Sequence, residues 1–167
     1  MKLSKRQITI VALGIVIFIQ AVYVSGHIAR LISSKIRDGI REKAQIHFHE
    51  AQTSFRKGDF DQAVLSYTEA IEIDPDYSAA VNNRGLAYYN KREYDKAISD
   101  FNKAKELNPK EGSTHYNLGL SYANKGLIDE AISHYTNAIE INPKDVDSYN
   151  NRGNVYYKKN QLENAFS

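Results

Sequence analysis

Three asparagines, Asn83, Asn117 and Asn151, stand 34 residues apart in a chain of 167. An asparagine amide both donates and accepts hydrogen bonds, so a column of amides can hold an extended peptide by its backbone. Other chemistry is sparse. The chain has no cysteine, which excludes a thiol nucleophile, a disulfide framework and a thiolate-bound zinc. Its histidines are scattered at His27, His47, His49, His115 and His134. His47 and His49 are two apart and so face different sides of a helix, whereas a metal pair wants positions i and i+4. They are read as surface or packing groups, with no metal site. There is neither a glycine-rich phosphate loop nor a nucleophile elbow. The expectation is a protein that is not an enzyme and needs no cofactor.

The asparagines belong to a larger beat. The only prolines, Pro75, Pro109 and Pro143, keep the same 34-residue interval. So do Ala63, Ala97, Ala131 and Ala165; Tyr67, Phe101 and Tyr135; Gly85, Gly119 and Gly153. A fixed period of this length means a solenoid, whose units bury their apolar faces only by stacking on one another. Within one unit, Val81, Gly85, Tyr88 and Tyr89 have helical spacing, as do Ile98, Phe101, Ala104 and Leu107. The short break Lys91-Arg92-Glu93 forces an antiparallel helix pair. Asn108-Pro109 ends the second helix, because proline disfavours helical geometry in the residue before it. Gly58 and Gly126 sit at helix ends, where a left-handed residue costs least.

The period and its residues resemble the tetratricopeptide repeat family. In the third unit the match reads His115, Leu118-Gly119, Tyr122, Ala131, Tyr135, Ala138 and Pro143. The family usually has tryptophan where His115, Val81 and Tyr149 stand. The first unit is the weakest copy, with Glu50-Ala51 for Leu-Gly and Ser54 for tyrosine. The resemblance implies an all-α, right-handed α-solenoid of antiparallel helix pairs that binds proteins or peptides. Its units fall at 44–77, 78–111, 112–145 and, truncated, 146–167, the last making a first helix from about Val146 to Lys159 and breaking off at Ala165-Phe166-Ser167, a few residues into its second. The binding surface is expected on the concave face lined by first helices: Asn82, Asn83, Leu86 and Tyr89; Tyr116, Asn117, Leu120 and Asn124; Asn150 and Asn151. The column is similar to the asparagine ladder of the O-linked N-acetylglucosamine transferase family. The alternative is that asparagine suits helix-to-helix hydrogen bonding at this position. The family's clamp for chaperone C-terminal tails is not expected. Its places hold Phe48, Gln52, Asn83, Ser113 and Asn117, without the cations that would compensate a desolvated carboxylate.

The N-terminus is a different material. Residues 1–7 are basic, and Ile8 to Val24 run apolar without a charge. Residues 8–27 are therefore expected to be a single transmembrane signal-anchor helix. The alternative is a cleaved export signal with Val24-Ser25-Gly26 at its cut. Residues 28–43 read as a basic helical stalk, with Ile28, Ile32, Ile36 and Ile40 every four residues. Residues 1–43 hold eight basic and two acidic side chains, a balance of +6, which leaves −4 for the repeats. A mildly acidic solenoid gives nucleic acid no basic stripe. Basic residues flank the apolar run on both sides, and the denser, nearer cluster at Lys2, Lys5 and Arg6 favours a cytoplasmic start. The repeats are then expected to face a periplasm. A soluble exported protein, or the regulatory arm of a larger enzyme such as a glycosyltransferase, are the other readings.

Overall fold

The computed structural model describes the backbone of residues 5–165 and the side chains of residues 24–26 and 28–161. Seven helices and no strand are present among the described residues. They are α1 (Lys5–Arg56), α2 (Phe60–Ile73), α3 (Ser78–Asn90), α4 (Tyr94–Leu107), α5 (Gly112–Lys125), α6 (Ile128–Ile141) and α7 (Val146–Ala165). The chain divides into two compact units, residues 1–42 and 43–167.

The first unit is helical throughout its described backbone, as expected of the stalk. Ile28, Ile32, Ile36 and Ile40 are exposed along it. Among the described residues, no helix is long and apolar enough to cross a membrane. The span expected at 8–27 falls on residues which, apart from 24–26, lie outside those whose side chains are described. The basic tail at 1–7 lies outside them too.

In the second unit α3 pairs with α4 and α5 with α6, while α2–α3, α4–α5 and α6–α7 make the contacts between repeats. Small residues set the spacing. Gly85 and Gly119 are buried at the pair interfaces, where a Cβ would stand 2.7 Å from the Phe101 ring and 2.6 Å from the Tyr135 ring. Ala63, Ala97 and Ala131 are fully buried at one repeated position, and Tyr67, Phe101 and Tyr135 at another. The large rings thus fill space that the glycine and alanine positions leave open, which gives interior packing its density.

The turns follow the same beat. Gly58 and Gly126 adopt φ of 79°, and Arg92, at the equivalent place, adopts φ of 60° without being glycine. A left-handed residue with a side chain costs on the order of 1–2 kcal/mol, so the α3–α4 packing must hold that turn closed. At the next equivalent place, Asn160, the expected reversal is absent: α7 runs on to Ala165 rather than stopping at Lys159. No glycine or proline interrupts this stretch. Local helix preference therefore wins.

Polar contacts tie neighbouring repeats at fixed intervals. Lys91 reaches Asp61 at 2.6 Å, Lys125 reaches Asp95, and Lys159 reaches Asp129 at 2.9 Å. Each joins the end of a first helix to the opening turn of the preceding second helix, where an acidic side chain also suits the helix dipole. These pairs are exposed, and solvent screening leaves each of them a small contribution. Arg84 is different. Its guanidinium holds both Asp100 oxygens at 2.8 Å and donates to Thr68 at 3.1 Å, binding α3 to α4 and α2. Asp100 is buried, and its carboxylate holds the Arg84 pKa above the ordinary guanidinium value.

Candidate peptide-binding face

The first helices α3, α5 and α7 meet their neighbours directly, so their shared face carries the residues expected to bind. At its start lies a pocket of about 210 Å³ lined by Gln52, Phe55 and Arg56 of α1, Tyr67 of α2, and Asn83 and Leu86 of α3. Its lining combines the apolar and aromatic side chains of Phe55, Tyr67 and Leu86 with two amides and a guanidinium. That combination suits an apolar side chain of an extended peptide whose backbone is held at the rim. Burial raises the Tyr67 pKa, and a hydrogen bond with the Asn83 side chain partly opposes the rise. The Tyr67 hydroxyl is therefore a neutral group that fixes the Asn83 amide at the pocket wall.

The remaining expected residues fall into three connected sets. Asn117 Nδ2 donates to Asn82 Oδ1 at 3.3 Å, and Asn82 Nδ2 donates to Asn83 Oδ1 at 3.4 Å. Asn151 Nδ2 donates to the Tyr116 hydroxyl at 3.4 Å and to the Asp147 carbonyl at 2.9 Å. Asn124 Nδ2 donates to the Tyr89 hydroxyl and to the Leu120 carbonyl, both at 2.9 Å. Asn150 is exposed, and Leu120 is half-buried beside Tyr135. Three bonds thus run from one first helix to the next, each between residues 35 apart. Asn117, only 7% exposed, is the most enclosed member.

Gln52, Phe55, Arg56 and Tyr67 were not among the expected wall residues. The signal for three of them was present in the repeat. One period back from Leu86, Tyr89 and Asn90 stand Gln52, Phe55 and Arg56. The poor match of the first copy hid them. Tyr67 shares its position with the core rings Phe101 and Tyr135, and nothing in the sequence marks it as reaching a pocket.

The histidines also acquire places. His115 and His134 bring their Nδ1 atoms to 3.3 Å across the α5–α6 pair, and Tyr122 stacks on His134 with ring centroids 5.2 Å apart. Burial, with His115 and Lys105 nearby, pushes His134 down to about 4. Burial also lowers His115. Near neutral pH the pair is therefore uncharged, one ring donating to the other, which is a packing role in the place of the family's usual tryptophan.

A stack of antiparallel helix pairs with a partly apolar groove on its first helices defines the class: a helical-repeat scaffold suited to binding protein or peptide. Residues 51–91 and 124–160 match the family described as TPR repeat, and residues 78–111 match the one described as Tetratricopeptide repeat. These stretches are tetratricopeptide repeats. Among solved structures, the first TPR of Spaghetti (RPAP3) bound to HSP90 peptide SRMEEVD is similar, with a TM-score of 0.69 and 24% identity over 70% of this chain and 93% of that one. The first TPR domain of human RPAP3 has a TM-score of 0.71 and 23% identity over 74% of this chain and 98% of that one. The Arabidopsis OM64 TPR domain has a TM-score of 0.68 and 18% identity over 70% of this chain and 96% of that one. No curated protein matches by sequence. At these identities the likeness carries the fold alone.

Proposed function

We propose that the chain is a membrane-anchored scaffold that binds an extended peptide segment of a partner protein along its first-helix face. The observation that carries the binding reading is the pocket between α1 and α3, where Asn83 and Leu86 of the expected wall meet Gln52, Phe55, Arg56 and Tyr67. The peptide enters with an apolar side chain over Phe55 and Leu86 and with its backbone against Asn83. The places of the chaperone-tail clamp hold Phe48, Gln52, Asn83, Ser113 and Asn117 without a cation, so that partner class is set aside here as well. The test is calorimetry with a partner segment recovered by crosslinking. Leu86→Asp and Asn83→Ala should each weaken binding, the amide by about 0.5–1.5 kcal/mol, with helical content unchanged. Unaltered affinity in both variants removes the pocket from the function.

The membrane reading is supported by the uncharged run Ile8–Val24. Reporter fusions after Lys43 test it: alkaline phosphatase should be active and green fluorescent protein dark if the repeats face a periplasm. The reverse pattern puts the solenoid on the cytoplasmic side.

A further inference from the structure

In the first repeat, His47 and Glu50 of α1 and Glu69 of α2 bring three potential ligand atoms within 4.8 Å of one another. His47 Nδ1 lies 3.0 Å from Glu69 Oε2 and 3.4 Å from Glu50 Oε2. Two atoms bound to one ion at about 2.0–2.2 Å, with ligand angles near 90–110°, stand about 2.8–3.6 Å apart. The two distances from His47 fall in that interval, and the two carboxylate oxygens lie within 4.8 Å of each other.

His47 Nδ1 is shut off from solvent and makes no hydrogen bond of good geometry, although carboxylate oxygens stand 3.0 and 3.4 Å away. A ring nitrogen left unsatisfied beside two carboxylates is a donor set that a cation would complete. Among the described residues neither glutamate pairs with lysine or arginine, and His47 is the neighbour they share. Two carboxylates and a neutral imidazole balance a doubly charged cation, and the mixed nitrogen and oxygen set suits a first-row transition ion rather than calcium or magnesium.

We propose that His47, Glu50 and Glu69 bind one divalent transition-metal ion, Zn²⁺ or its like, which staples α1 to α2. The staple falls in the repeat that departs furthest from the family pattern, where Glu50-Ala51 replaces Leu-Gly. Both glutamates are more than half exposed, which leaves the remaining coordination positions to water. Because the imidazole must be unprotonated to bind, affinity falls with acidification.

Titrating the full chain with ZnCl₂ in a calorimeter, and with CoCl₂ while following visible absorption, tests the site. One ion per chain and a Co²⁺ ligand-field band are expected. His47→Gln and Glu69→Gln should each weaken Zn²⁺ binding by about tenfold or more, and His115→Gln should leave it unchanged. If His47→Gln does not fold, Glu50→Gln on the exposed side carries the same expectation. Absence of saturable binding by the wild-type chain overturns the site, as does binding that is lost in His115→Gln and kept in Glu69→Gln.

Discussion

The packing of the repeats is tested most sharply by adding one methyl group. In Gly119→Ala the new Cβ would stand 2.6 Å from Tyr135 Cε1, 2.7 Å from Cδ1 and 3.0 Å from Cζ. Tyr135 is 1% exposed, so its ring has little room to swing away. The helices α5 and α6 must part, or the ring must leave its rotamer. Overpacking of this kind costs about 1–3 kcal/mol, and the helical preference of alanine over glycine returns about 0.8–1.0 kcal/mol. The net expectation is a loss of about 0–2 kcal/mol. Gly153 supplies the control, because a Cβ there meets nothing within 4 Å. Gly153→Ala should therefore gain up to about 1 kcal/mol from propensity alone. The first repeat bounds the cost from above: Ala51 occupies the same position, and both Ala51 and Tyr67 are buried. A helix pair can accept the methyl when the whole unit is built around it. Urea unfolding followed by circular dichroism reads both variants. A Gly119→Ala protein that gains stability, as Gly153→Ala should, would refute the close approach of α5 to Tyr135.

Two further perturbations separate buried polar contacts from surface ones. Asp100→Asn removes the charged partner of Arg84 in a buried fork and should cost about 1.5–3 kcal/mol; Asp129→Asn, which breaks an exposed pair with Lys159, should cost less than about 1 kcal/mol in the same unfolding assay. Acid should weaken the fold through His134, whose pKa is about 4 in the folded chain against roughly 6.5 unfolded. Between these values the unfolded state binds the extra proton, so stability falls as pH drops from about 6.5 towards 4 and then levels. Thermal melts of wild type and His134→Gln across that window should converge on acidification; parallel curves would dismiss the histidine pair as the cause.

The repeat was legible because its period is enforced by sterics. Proline ends a helix wherever it stands, and glycine or alanine is required opposite each large ring, so the interval appears in residue identity. The hydrogen bonds among Asn82, Asn83 and Asn117 were less legible, since a column of amides looks the same whether it faces a ligand or a neighbouring helix. Only the offset of 35, one more than the period, separates the second case, and that offset is a property of how first helices lie beside each other. The fourth repeat shows the converse limit. Asn160 sits at a turn position by register, but it is neither glycine nor followed by proline, and α7 runs through it to Ala165.

That difference between register and packing also indicates where a peptide would compete with the fold and where it would not. In the middle repeats the amides already serve the protein: Asn117 bonds Asn82, and Asn124 bonds the Tyr89 hydroxyl. A ligand must break those contacts before it makes its own, and the exchange of one neutral hydrogen bond for another leaves little net gain. In the first repeat Arg56 stands at the place of Asn124 and Gln52 at the place of Leu120, lining the pocket with the apolar surface of Phe55 and Leu86. Burying that surface yields a gain that no internal contact has already taken, at about 25 cal/mol per Å². The copy that matches the family least is thus the one whose pocket can bind at the lowest cost to the solenoid. A metal staple between α1 and α2 would hold the helix that carries Gln52, Phe55 and Arg56 against the one that carries Tyr67.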